Sequence, residues 1–386
     1  MSKSSKIFDI LILWPESSRF KMAVEERRRG VCYTMPGLKH EKLLKVPITE
    51  EAQLCFERHF PRVDGDLNLR GLRNLISSSQ LELALNGTTV ILSQMGQGEG
   101  AASKPSTMTP LHAEMWGIRS QLLMALKLYP QLIEELLPFE ELDAPDLYYQ
   151  YYSNGNEKTG SLIPFSMRLI HAEVLRFTPF PWKAVERIER LEAGVKKVIT
   201  MICSSGEPEE YISAWRSRLS VVQKMYARVL FFLGEYVLSL NSFQSIQKYS
   251  SNSESSSLLE GMLRIALSVG DEKAVNKLLE ELNNASTPQF LLLKAFRAVF
   301  LGAFIHAQEY LQRIPRADFD ADTAINCAAL CLLYNGKANE AIKVYGQLIQ
   351  KSSEPLYINL KAISELACST VEKSELLNDF VKKRIA

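Results

Sequence analysis

The chain lacks an excess of charge of either sign: 45 lysines and arginines stand against 44 aspartates and glutamates, a net charge of +1. Proteins dedicated to nucleic acid or to an anionic membrane carry a clear basic excess, so both partner classes are disfavoured. Long apolar runs are missing too. The longest near the N-terminus, IFDILILW at 7–14, falls far short of the ~20 residues of a membrane span. It carries Asp9 and no small-residue cleavage pattern follows it, so it does not read as a secretory signal. It reads as a docked strand or short helix of a cytosolic chain. Cysteine is sparse: Cys32, Cys55, Cys203, Cys327, Cys331 and Cys368 include no CxxC pair and cannot form a disulfide framework. Cys327 and Cys331, at i and i+4, have no histidine nearby to complete a zinc site and read as small buried thiols.

Catalytic signatures are also absent from the sequence. GQGEG (Gly96–Gly100) is not followed by GK[ST], so it makes no phosphate loop. Neither GxSxG nor HExxH occurs. The histidines His40, His59, His112, His171 and His306 are scattered; His171 and His306 fall in packed-looking helices and read as hydrogen-bonded structural groups. Arg27–Arg29, preceded by Glu25 and Glu26, read as a solvated helix face. No catalytic, cofactor-binding or metal-binding residue is assigned, and an enzyme is disfavoured.

What the sequence does contain is a repeat. Gly234, Gly270, Gly302 and Gly336 recur at intervals of 36, 32 and 34 residues, each within one local pattern. Five residues on stand the mostly small Ser239, Val275, Ala307 and Ala341. Nine on stand Phe243, Leu279, Leu311 and Tyr345, and twelve on Ile246, Leu282, Ile314 and Leu348. Three residues back lie Phe231, Leu267, Val299 and Leu333. A glycine that ends one helix, a small residue that lets a second helix approach, and bulky residues along one face describe a helical hairpin. The period and pattern match tetratricopeptide-like hairpins, which bury their apolar faces only by stacking. The expected fold is therefore all-α, with tetratricopeptide-like hairpin repeats stacked into an α-solenoid. The segment Pro355–Lys383 suits a terminal cap.

The remaining chain reads as an irregular N-terminal segment (1–48), N-terminal helices (49–94) and an exposed loop (95–110). Divergent helical hairpins follow (111–210), then the repeats with capping helices (211–386). The serine-rich SSNSESSS, 250–257, reads as a loop between the first two repeats. Between two of the divergent hairpins lies DLYYQYY, with Tyr148, Tyr149, Tyr151 and Tyr152 in seven residues. Glu140, Glu141, Asp143 and Asp146 precede it and would repel phosphate, which argues against a nucleic-acid platform. Packing between hairpins and a partner-contact patch both remain open.

PFEELDAPDLYYQYY (Pro138–Tyr152) followed by GSLIPFSMRLIHAE (Gly160–Glu173) resembles the signature block of subunit 12 of the transport protein particle (TRAPP) complex. WRSRL (Trp215–Leu219), GDEKAVNKLLEEL (Gly270–Leu282) and NCAALCLLYNGK (Asn326–Lys337) are similar to the same family in the same order, and Gly96–Gly98 also fits. The resemblance covers about residues 65–386. Many animal members carry a long polar N-terminal extension, whereas this chain begins close to its folded part.

The resemblance implies a non-catalytic peripheral subunit of the TRAPP III tether and Rab guanine-nucleotide exchange assembly. It would act in traffic between endoplasmic reticulum and Golgi and in autophagy, without a cofactor. Implied partners are the large arm subunits eight and eleven, subunit thirteen, and indirectly the small core subunits. Rab contact would occur only through the assembled complex, and the chain would be cytoplasmic, held peripherally at Golgi and ER–Golgi intermediate membranes. The alternative is a free-standing tetratricopeptide adaptor that binds peptide segments. Asn326, Leu330, Leu292 and Phe296 are mostly apolar where a clamp for chaperone tails needs polar donors, so that ligand is disfavoured.

Overall fold

The computed structural model describes residues 11–16, 68–97, 104–152, 158–247, 252–282, 287–314, 321–345 and 354–385. The helix expected over 49–60, Arg27–Arg29, Cys32, Cys55, His40, His59, Gly98–Gly100 and Leu348 lie outside them. Among the described residues the chain forms seventeen α-helices and no strand, with one isolated antiparallel bridge, Tyr148 to Ser161. It divides into two compact units, Met1–Ser242 and Phe243–Ala386.

In the first unit, α1 (Leu69–Ser77) starts where the Asn68 side chain accepts the Gly71 N–H at 2.9 Å. It turns through Ser79 (φ 60°) into α2 (Leu81–Gln94). Thr109 caps α3 (Pro110–Ala125), with Pro110 in its first turn where a missing N–H costs nothing. A tight turn leads to α4 (Tyr129–Leu136). After the tyrosine connector come the short α5 (Tyr149–Tyr152), α6 (Phe165–Glu173), α7 (Trp182–Ser204) and α8 (Glu209–Phe232). Leu72, Leu85, Leu92, Met115, Trp116, Leu123 and Leu132 fill the core of α1–α4. Ala184, Ile188, Leu191, Val195, Val198 and Ile202 form a helical stripe on α7 that packs with Trp215, Val222, Met225 and Val229 of α8.

Two buried polar groups fix this unit. Arg119 of α3, with no exposed surface, donates to both oxygens of Glu135 of α4 at 2.7 Å. It also donates to the Leu85 carbonyl and to the hydroxyls of Thr88 and Thr89 on α2, at 3.3, 3.0 and 2.9 Å. One guanidinium thus ties three helices together.

The second group is His171 of α6, whose Nε2–H donates to the Glu140 carbonyl at 2.7 Å. Burial, aided by the nearby Arg187 charge, lowers its pKa to about 4, below the ~6.5 of an exposed imidazole. As pH falls the unfolded chain therefore takes up this proton first. The stabilisation is complete above ~6.5 and is lost on the way down to about 4. Unfolding free energy should drop by up to about 3 kcal/mol across that window. His171→Gln should flatten the profile in denaturant titrations at stepped pH; parallel profiles for the two proteins would contradict this assignment.

Gly234 ends α8, and α9 (Tyr236–Gln247) follows. The second unit continues with α10 (Asn252–Val269), α11 (Glu272–Glu281), α12 (Thr287–Phe300), α13 (Phe304–Gln312), α14 (Ala321–Tyr334) and α15 (Ala338–Tyr345). It ends with α16 (Glu354–Ala367) and α17 (Thr370–Ile385). Helices pair as hairpins α10/α11, α12/α13, α14/α15 and α16/α17, and the hairpins from α12 onward stack, α13 on α14 and α15 on α16. The serine-rich stretch is not the loop read from sequence: from Asn252 onward it is the first turns of α10. Serine is poor in a helix interior but well suited to its start, where its hydroxyl can satisfy free backbone N–H groups.

Each repeat glycine lies in the left-handed region, with φ of 85, 84, 73 and 77° at Gly234, Gly270, Gly302 and Gly336. The N–H of the next residue reaches back five positions, Glu235 to Leu230, Asp271 to Ala266, Ala303 to Ala298 and Lys337 to Leu332, at 2.8–3.1 Å. That is the Schellman helix stop. A Cβ would meet nothing within 4 Å at any of the four, so the backbone angle alone selects glycine.

Ser239, Val275, Ala307 and Ala341 have no exposed surface, and neither do Ala227, Leu263, Ala295 and Ala329, seven residues before each glycine. In the first hairpin the Ser239 hydroxyl donates to the Ala227 carbonyl at 2.7 Å, which puts this pair at the helix crossing. Phe231, Leu267, Val299 and Leu333 are only half-buried. Ala307→Leu or Ala341→Leu should overpack the crossing and cost about 1–3 kcal/mol in chemical unfolding; undiminished stability in both would contradict the geometry.

α16 and α17 close the array. Their turn is held by a capping box in which the Ser369 N–H donates to the Glu372 carboxylate at 2.9 Å and the Glu372 N–H donates to the Ser369 hydroxyl at 3.4 Å.

Candidate functional site

Two places gather the chemistry that helix packing alone does not use. The first is the tyrosine connector. Short 3-10 turns at Leu137–Phe139 and Pro145–Leu147, set by their prolines, lead into it. Tyr148 is fully buried in the first core, and its hydroxyl donates to the Pro15 carbonyl at 3.3 Å. Tyr149, Tyr151 and Tyr152 are half-buried. The Tyr152 hydroxyl donates to the Asp146 carbonyl at 2.9 Å, accepts the Met108 N–H at 3.1 Å and lies 2.8 Å from the Ser106 hydroxyl. Burial pushes the phenols of Tyr148 and Tyr152 above their usual range. Tyr149 donates its N–H to the Gly160 carbonyl at 3.0 Å, and Leu162 returns one to Leu147 at 2.8 Å. Of the preceding acidic residues, Glu141 pairs with Arg187 at 2.8 Å and Arg190 at 3.3 Å. Tyr148 and Tyr152 are thus internal fastenings.

The second place is in the second unit. α11, α12 and α13 enclose a groove of about 770 Å³. Leu279, Phe290, Leu301 and Tyr310 supply apolar walls; Lys294, Arg297 and His306 supply basic groups against one acid, Glu280. The Lys294 ammonium lies 4.4 Å over the Phe290 ring, and Arg297 Nε donates to Asn276 at 2.9 Å. His306, read from sequence as packed, is exposed here. Its helix buries Ala307 and Leu311, so position 306 faces away from the hairpin seam.

At the turns of this unit some apolar side chains are exposed beside charged ones: Ile305 at 66% and Tyr334 at 68%, the latter stacked on Phe304. A stacked aromatic pair with an exposed ring, as at Phe304 and Tyr334, suits contact with another protein. Sequence reading passed over the groove; its one signal was Phe290, Lys294 and Arg297 at helical spacing on one face.

Asn326, weighed as a clamp residue, is used internally: it accepts from the Tyr345 hydroxyl at 2.6 Å and from Asn359 at 3.0 Å. Leu292 is buried. Cys327 and Cys331 are buried on α14, and the hydrogen bond with Cys331, together with burial, pushes the Cys327 thiol up. Cys203 is exposed. Among the described residues no three His, Cys, Asp or Glu side chains converge as a metal-binding group, and no helix is long and apolar enough to cross a membrane.

Glycine-stopped hairpins with a small-residue crossing and a consecutive stack make this an all-α protein of the tetratricopeptide-like repeat class. No family model matches the chain. Trafficking protein particle complex subunit 12 of mouse is 27% identical over 385 residues, covering 91% of this chain and 48% of the relative. The human protein of the same name is 28% identical over 401 residues, covering 93% and 54%. Over nine-tenths of its length the chain is similar to the trafficking protein particle complex subunit 12 proteins of mouse and human. It spans about half the length of the curated relatives it matches. Among solved structures, a tetratricopeptide repeat protein from Parabacteroides merdae is 8% identical, the match covering 81% of this chain and 97% of that one, with a TM-score of 0.43.

Proposed function

We propose that the chain is a non-catalytic structural and adaptor subunit of a TRAPP III tethering and Rab exchange assembly. In this reading it works in ER-to-Golgi traffic and autophagy from the cytoplasmic face of Golgi and intermediate membranes. The observation that carries the reading is similarity to subunit 12 along more than nine-tenths of the chain. The exposed Ile305 and Tyr334 at the turns of the repeats support it, since a subunit held by neighbours needs such surface. Proposed neighbours are the large arm subunits eight and eleven and subunit thirteen, with the small core subunits and Rab reached through them. A tagged chain should recover these subunits from cell extract, and extract without any of them in the eluate would overturn the reading. The purified chain alone should leave nucleotide release from Rab proteins unchanged; stimulation by it would remove the non-catalytic assignment.

One observation favours a second reading, a free-standing adaptor: the mixed apolar and basic groove of α11–α13 has the size and lining of a ligand site. Peptide-array binding by a chain that elutes alone on sizing would support it against the first.

A further inference from the structure

Residues 11–16 lie against the first unit more than 130 positions away in sequence, and the manner of contact is that of a bound peptide. Three of its carbonyls are held: Leu11 accepts from Arg218 at 2.8 Å, Ile12 from the Ser161 N–H at 2.9 Å, and Pro15 from the Tyr148 hydroxyl at 3.3 Å. Two glycines admit it. A Cβ on Gly160, already at φ +128°, would overlap the Ile12 carbonyl, and one on Gly194 of α7 would stand 2.9 Å from the Trp14 ring. The Trp14 indole sits on that glycine, with the Arg168 guanidinium 4.0 Å over its face and Trp215 6.5 Å away.

The walls of this cleft hold one another without the segment. Phe165 meets Trp215 edge to face at 6.2 Å, and Arg218 lies 4.8 and 4.4 Å from these two rings. Arg168 donates to the Ser161 hydroxyl at 2.6 Å. Preformed walls, held backbone carbonyls and an indole pocket floored by glycine are the parts of a peptide receptor. We propose that this cleft is a receptor site for an apolar–apolar–Trp–Pro segment, and that Ile12–Pro15 of the chain itself is its resident ligand. Gly160 and Ser161 set the backbone path; Gly194 and Arg168 select the indole.

The test separates ligand from receptor in the full chain. A protease site is inserted after Gly30, the protein is cut, the 1–30 fragment is washed away in mild denaturant and the remainder returned to buffer, and a labelled synthetic peptide of residues 9–19 is added. Saturable one-to-one binding to cut protein, with none to uncut protein, is expected. A Trp14→Ala peptide should bind at least ~10-fold more weakly, because the buried indole is lost. Cut protein carrying Gly194→Ala should show a similar loss. Alanine favours a helix over glycine, so that loss cannot come from a weakened α7. Equal binding of the Trp14→Ala peptide, or no binding to cut protein that keeps its helical signal, overturns the proposal. If cutting unfolds the protein, refolding on addition of the peptide supports it and failure to refold overturns it.

Discussion

Arg119→Ala is expected to cost about 3–5 kcal/mol of unfolding free energy, the cost of stripping one partner from a buried ion pair. The variant leaves the Glu135 carboxylate buried without its two 2.7 Å donors, and deprives the Leu85 carbonyl and the Thr88 hydroxyl of one each. Glu135→Gln keeps the shape and one set of hydrogen bonds and should cost less. Replacing both by well-packed apolar residues should recover most of the loss, since water no longer has to be taken from two charges. Urea titration of the three variants checks the order, and an Arg119→Ala protein as stable as its parent would contradict the network.

Tyr148→Ala is the second large effect, again about 3–5 kcal/mol, as for other large-to-small changes of a buried aromatic. The ring has no exposed surface and belongs to the first hydrophobic core. Tyr148→Phe removes only the hydroxyl that donates to Pro15 and should cost about 1 kcal/mol. The contrast matters for the tyrosine run as a whole. A run that served mainly as a partner patch would lose binding and keep stability, whereas a run used for packing loses stability first. Thermal unfolding of both variants distinguishes the two, and a small effect of Tyr148→Ala would restore the patch.

The hairpin class was legible in the sequence because a helix stop needs a left-handed residue, and only glycine adopts that shape cheaply. Four of them in one local pattern therefore speak loudly. The partners of the small residues were not legible: Ala227, Ala295 and Ala329 are good helix formers anywhere, so nothing marks them as a crossing. Arg119 and Glu135 were invisible for a different reason. They lie 16 positions apart on two helices, and although Met115, Trp116, Leu122 and Leu123 put Arg119 on the apolar face of its own helix, nothing in one helix's pattern names a partner on the other. The cleft for residues 11–16 depends on Gly160 and Gly194, whose need shows only when the segment approaches them. The serine stretch misled because its composition suits loops and helix starts alike.

The surface carries its own logic. Basic groups at Lys294, Arg297 and His306 gather at one groove in a chain whose total charge is +1, so the near-neutral sum conceals a local imbalance. Neutral composition argues against a general affinity for polyanions but leaves room for acidic protein segments at one place.

As proposed, this chain works as one subunit of a larger assembly. Native mass spectrometry of the tagged protein, purified gently from its own cells, tests it most directly. A single dominant species containing one copy of the chain together with other TRAPP subunits in fixed ratio is expected. A spectrum containing only the free chain, with every other TRAPP subunit recovered in a complex that lacks it, would contradict the account.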